Sequence, residues 1–198
     1  MQSMSDPPPL LQTLYLYGPL LNNELPHWIA RQTSLVNIML QWPRVGDDAL
    51  QVLQALPNLL ELWFYEGYNG EKLHFRKGCF SKLKILSVLY LIELNEVIID
   101  EGALLVVEEL YIGPCPKLKE LPSGFHLLRN LKKLRFYDIQ KEFAIRMQPV
   151  ADGGNDYWKV ELSHVPLVLF WYKSKGFRYY SYKLGDADLI NSLKEIPN

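Results

Sequence analysis

Cysteine is scarce in this chain of 198 residues, where Cys79 and Cys115 stand alone and far apart. Two thiols so spaced offer no disulfide framework, and a reduced pair is expected. Glycosylation sequons of the form N-x-S/T are absent, and MQSMSDPPPLL has no signal-peptide character. An excess of charge is missing too: a net charge of -1 and a pI near 6.4 provide no clustered basic surface for nucleic acid. Long apolar runs are lacking, since the longest, VPLVLFWY (Val165 to Tyr172), is too short to span a bilayer and reads as a buried strand. From these features an intracellular, cytoplasmic protein with no membrane span is expected.

Catalytic signatures are equally thin. His27, His74, His126 and His164 have no ligand spacing with either cysteine. Asp47 with Asp48, and Glu108 with Glu109, are adjacent pairs whose side chains on a strand would point to opposite faces and could not share a proton. Neither GYNGE (Gly67 to Glu71) nor ADGGND (Ala151 to Asp156) completes a phosphate-binding loop. No enzyme activity, cofactor or metal site is expected.

What the chain does contain is a period. VEELYI (Val107 to Ile112) is apolar at its first, fourth and sixth places, and one constant step finds the same pattern in LQTLYL, LVNIML, LLELWF, LKILSV and LKKLRF, opening at Leu11, Leu35, Leu59, Leu83 and Leu131. A second register agrees: ELPHWI (Glu24 to Ile29) and ELPSGF (Glu120 to Phe125) lie four such steps apart. L-x-x-L-x-L at this period marks a leucine-rich repeat, in which each unit contributes one short strand to a parallel sheet and completes its core only against its neighbours. The expected fold is α/β: a solenoid with a parallel β-sheet on its concave face, an irregular or helical convex side and a non-repeat C-terminal cap. The expected divisions are a partial N-terminal segment over 1–10, a leucine-rich-repeat array of six equal units over 11–141, and a capping tail over 142–198. In that tail VPLVLFWY and FRYYSYKL (Phe177 to Leu184) are expected to pair as a hairpin through KSKG, followed by a helix N-capped by Asp186.

The pleat sends the residues between the leucines to the concave surface. One column is Tyr15, Met39, Trp63, Ser87, Tyr111 and Arg135; the next is Tyr17, Gln41, Tyr65, Leu89, Gly113 and Tyr137. The aromatic content of these columns suits a protein interface, because Tyr and Trp bury large area at low entropic cost. Tyr15, Tyr17, Met39, Trp63, Tyr65, Tyr111, Arg135 and Tyr137 are the candidate partner-binding residues, with Trp63 as central anchor. The competing reading is that these residues cover a sheet contacted by the chain's own tail. Three residues past each hexad, where regular repeats use Asn or Cys, stand Pro19, Pro43, Gly67, Leu91, Cys115 and Ile139; only Cys115 fits, so irregular curvature is expected.

The phrases SMSDPPPLLQTLYLYGPL, ELPHWI, LPNLLELWFYEGYNGEKLHF, LKILSVLYLIELNEVIIDEGAL, LKELPSGF and NDYWKVELSHVP, in that order, resemble the C-terminal leucine-rich-repeat region of plant nucleotide-binding disease resistance proteins of the coiled-coil class. The resemblance implies a non-enzymatic recognition domain in innate immunity. Its implied partners are a pathogen effector or host protein and the receptor's own nucleotide-binding switch domain. A generic leucine-rich-repeat adaptor or scaffold, or a truncated non-signalling receptor remnant, is the alternative.

Overall fold

The computed structural model describes residues 10–149, 154, 161–173 and 178–195. The 1–9 segment, most of ADGGND and most of KSKG lie outside the described residues.

Each hexad ends in a strand: β1 (Thr13–Tyr17), β2 (Asn37–Gln41), β3 (Glu61–Tyr65), β5 (Ile85–Leu89), β7 (Glu109–Ile112) and β8 (Lys133–Tyr137). They lie side by side in one sheet, every pair parallel and offset by one repeat unit, so that Leu14 faces Ile38, Ile38 faces Leu62, and the series continues to Leu134. The mostly parallel sheet with few helices is an α/β architecture compatible with a leucine-rich-repeat solenoid.

Alternation decides which face is core. Leu14, Ile38, Leu40, Leu62, Phe64, Leu86, Val88, Leu110, Ile112, Leu134 and Phe136 are all buried. Leu16, expected beside them, is only partly buried, because β1 is the edge strand of the sheet among the described residues. Leu10 and Leu21 at that same edge are exposed.

Parallel pairing does not stop where the period does. β9 (Leu167–Lys173) lies parallel to β8 in the register Leu134 to Val168 and Phe136 to Phe170, a longer step than the one between the preceding strands. Val165, Val168 and Phe170 are buried and repeat the first, fourth and sixth hexad places; the longer return hid them from a fixed period. β10 (Tyr179–Lys183) then pairs antiparallel with β9, as the hairpin reading expected. A helix, Ala187–Glu195, follows, and Asp186 caps it by accepting the Asp188 N–H at 3.0 Å.

The return segments differ among themselves. In the second unit, helix α1 (Asp47–Gln54) buries Ala49, Leu50 and Leu53, with Asp47 and Asp48 in its first turn, where carboxylates favour the helix dipole. This pair therefore opens a helix and is not on a strand, and Asp47 accepts the Tyr68 hydroxyl. In the third and fourth units the returns form strands β4 (Lys72–Phe75) and β6 (Glu96–Ile99), which pair in parallel at the same one-unit offset. KLHF and EVII alternate and are rich in β-branched or aromatic residues. The return segments thus form in part a second sheet, beyond the irregular or helical form expected. Helices α2 (Lys141–Arg146) and α3 (Ala187–Glu195) follow, and short 3-10 turns span Leu21–Asn23, His27–Arg31 and Phe125–Leu127.

The backbone repeats as well as the side chains. Two residues past five of the six hexads, Gly18, Trp42, Glu66, Tyr90 and Asp138 have positive φ, and in the fifth unit Gly113 takes that conformation one residue earlier, a left-handed turn that ends the strand and starts the return. Cys115, the one residue of common type at the following position, donates its thiol to the Val88 carbonyl of the preceding unit at 3.7 Å.

Candidate functional site

The outward face of the main sheet carries the two columns in register. Tyr15, Met39, Trp63, Ser87, Tyr111 and Arg135 are successive partners across neighbouring strands, and Tyr17, Gln41, Tyr65 and Leu89 form the second series. Tyr137 aligns with Trp171 of β9.

The N-terminal half of the face is open. Tyr15 and Tyr17 are 69% and 65% exposed, and Met39, Trp63 and Tyr65 are half-buried. Two aromatic pairs repeat one arrangement two units apart: Tyr17 with Trp42 at 4.7 Å between centroids, and Tyr65 with Tyr90 at 4.6 Å. The left-handed turn aims Trp42 and Tyr90 back over the preceding unit's tyrosine. Arg44, Glu66, Asn69 and Tyr90 border an open cleft of about 240 Å³ beside this column. Burial and the Tyr90 hydroxyl push the Tyr65 phenol up to about 12, so it is a neutral hydrogen-bonding group at neutral pH.

The C-terminal half is covered by its own residues. Tyr111 faces outward as expected but is only 7% exposed: Trp63 stacks on one side at 5.4 Å and the Arg135 guanidinium lies 5.3 Å from its ring centre on the other. Its hydroxyl donates to Glu109, which also receives Lys133 Nζ at 2.9 Å. Burial raises the Tyr111 phenol well above its ordinary value, whereas the Tyr111 hydrogen bond holds the Glu109 carboxyl below its own. Ser87 is completely buried, and no hydrogen-bond partner among the described residues reaches its Oγ. Arg135 also approaches Trp171, at 5.9 Å.

The tail reaches this face too. Tyr137 stacks on Trp171 at 6.0 Å and meets Tyr179 edge-on at 6.2 Å; the Tyr179 hydroxyl donates to Asp138 Oδ2 at 3.0 Å and lies 3.4 Å from the Tyr90 hydroxyl. Tyr111, Arg135 and Tyr137 are therefore tied into intramolecular stacking, the reading weighed against partner binding. Tyr15, Tyr17, Met39, Trp63 and Tyr65 remain the accessible group.

Sequence reasoning missed Trp42, Tyr90, Trp171 and Tyr179. The repeat register could have found the first two, since both stand two residues beyond a hexad, and Val165 opening a seventh hexad could have found Trp171. Tyr179 has no local signal. Away from this face, His74 Nε2 lies 2.9 Å from Asp100 Oδ1, but among the described residues no group of three His, Cys, Asp or Glu could hold a metal. No described helix is long and apolar enough to cross a membrane.

Comparison with known proteins gives relatives of one kind. The disease resistance protein RPM1 of Arabidopsis thaliana is 29% identical over 170 residues, which is 86% of this chain and 18% of that protein. RPH8A and RPP8 from the same plant, also disease resistance proteins, are 32% and 31% identical over 137 residues, 69% of this chain and 14% of each relative. The chain thus spans less than a fifth of the length of these relatives. None of their names states a catalytic activity. No protein-family model matches the chain, and no solved structure does.

Proposed function

The chain is a homologue of plant disease resistance proteins and resembles their C-terminal leucine-rich-repeat region, and from that premise we propose that it is a non-enzymatic protein-recognition domain of the intracellular immune-receptor type. In this reading residues 11–141 form a leucine-rich-repeat solenoid that β9 extends, 142–198 act as its cap, and a protein partner docks on the concave face. That partner is a pathogen effector, a host protein or a neighbouring nucleotide-binding switch domain, met in the cytoplasm. The observation that carries the reading is the open aromatic group Tyr15, Tyr17, Met39, Trp63 and Tyr65, a type of surface enriched at interfaces. A generic scaffold would use the same face, and the relatives' role in disease resistance favours the immune assignment.

A photo-crosslinking amino acid at Tyr15 or Tyr65, compared with one at Gln51 on the exposed side of α1, tests this in leaf tissue. Capture of one common protein from the sheet positions only, lost in Trp63→Ala, is expected. Equal capture at Gln51, or capture indifferent to Trp63→Ala, would put the binding surface elsewhere.

A further inference from the structure

The third and fifth units open alike. Glu61 and Trp63 hold the third and fifth hexad places of one, and Glu109 and Tyr111 hold the same places of the other. In the fifth unit this pairing of acid and aromatic ring is completed within the chain. The register partners of Glu109 and Tyr111 are Lys133 and Arg135; the first reaches the carboxylate at 2.9 Å and the second lies over the ring at 5.3 Å. In the third unit the corresponding partners are Ile85 and Ser87, which bring no cation.

Glu61 is left with the Trp63 indole N–H at 3.3 Å and, among the described residues, no ion pair, unlike Glu66, Glu93, Glu96, Glu108 and Glu109. Around it the face is neutral: at the third, fifth and seventh places of the first four units, no residue but Glu61 is charged. Tyr111 occupies one face of the Trp63 ring, and the opposite face lies on the β2 side, where the register residue Met39 is half-buried. An uncompensated carboxylate bonded to a half-exposed indole attracts a cation twice, by its charge and by the electron-rich ring face.

We propose that Glu61 and Trp63 form a seat for an arginine side chain presented by a protein partner, making from outside the acid and ring contacts that Lys133 and Arg135 make from inside two units further on. Arginine fits better than lysine, because its planar guanidinium lies flat on the indole while two N–H groups address the carboxylate. This deepens the recognition reading above and rests on it.

The test is a titration of the full chain, labelled with ¹⁵N, with the peptide acetyl-Gly-Arg-Gly-Arg-Gly-amide and its uncharged citrulline counterpart, following the Trp63 indole N–H resonance assigned by Trp63→Phe. The arginine peptide should shift that resonance saturably and bind at least fivefold more tightly than the citrulline peptide, with the advantage shrinking as salt is raised about tenfold from a low starting value. Glu61→Gln, which keeps the shape of the side chain, should reduce the arginine peptide to the citrulline level. Ile85→Lys should do the same, by giving Glu61 the internal cation that Lys133 gives Glu109. Equal binding of the two peptides, or an affinity unchanged in Glu61→Gln, would overturn the seat. A face that captures a partner in tissue yet ignores the arginine peptide sinks the seat and leaves the recognition reading standing; arginine binding without position-dependent capture does the reverse.

Discussion

Trp63 and Tyr111 stack with their ring centroids 5.4 Å apart although the strand β5 runs between theirs. Alternate strands are separated by roughly 9.6 Å, so the rings must lean together, and they close over Ser87, whose small side chain leaves the room. The buried Ser87 hydroxyl has no partner among the described residues. Ser87→Ala should therefore be neutral or stabilising by up to about 1 kcal/mol in urea unfolding. Ser87→Leu should part the rings and cost about 1–3 kcal/mol. A clear loss of stability in Ser87→Ala would show that the hydroxyl is bonded.

Adjacent residues on β3 should behave in opposite ways. Leu62 is fully buried in the core, so Leu62→Ala should cost about 2–5 kcal/mol. Trp63→Ala loses one stacked pair on the outward face and should cost about 1 kcal/mol. Thermal or urea melts of the two variants side by side check the face assignment, and a reversed order would defeat it.

Two glycines with left-handed backbones separate conformational cost from steric cost. At Gly18, φ is +90° and an added Cβ would meet nothing within 4 Å; at Gly113, φ is +100° and a Cβ would lie 2.2 Å from the Tyr137 carbonyl oxygen. Gly18→Ala should cost about 1 kcal/mol. Gly113→Ala adds displacement of the neighbouring strand end and should cost roughly 3 kcal/mol or more. Equal melting temperatures would contradict the close approach.

Both cysteines are free and buried, and burial pushes each thiol up to about 11, with Asp100 adding to the effect at Cys79. Thiolate is the reactive form. Iodoacetamide near neutral pH should label neither residue in the folded chain and both in urea, as read by intact mass. Rapid labelling of the native protein would show that one of the sites opens.

The lowered Glu109 carboxyl makes a signed contribution to acid stability. A carboxylate depressed in the folded state stabilises fully above its unfolded value, near about 4.3, and loses that contribution as pH falls through the folded value. Here the Tyr111 hydrogen bond is the main cause, with Lys133 and Arg135 assisting. Wild type should therefore lose more stability below about pH 4 than Glu109→Gln, measured as urea midpoints across that range. Parallel acid limbs for the two proteins would remove Glu109 from the account.

The sequence by itself determined the six hexad strands, their order and their register. A hexad recurring at a constant step fixes which strand lies beside which, because each unit buries its leucines only against the next, and the alternation within LLELWF or LKKLRF assigns inward and outward faces without any tertiary information. The same arithmetic failed at β9, whose longer step breaks a fixed period while its Val165, Val168 and Phe170 keep the pattern. Only the tertiary structure decided what the outward residues are free to do. Tyr15 and Tyr111 hold the same hexad place, yet one is exposed and the other covered. The difference lies in Ser87 and Arg135 on the flanking strands and in Trp63 one strand further on. Local pattern sets the direction of a side chain; its accessibility is set by the volume and charge of neighbours that the chain brings beside it from one, two or more units away.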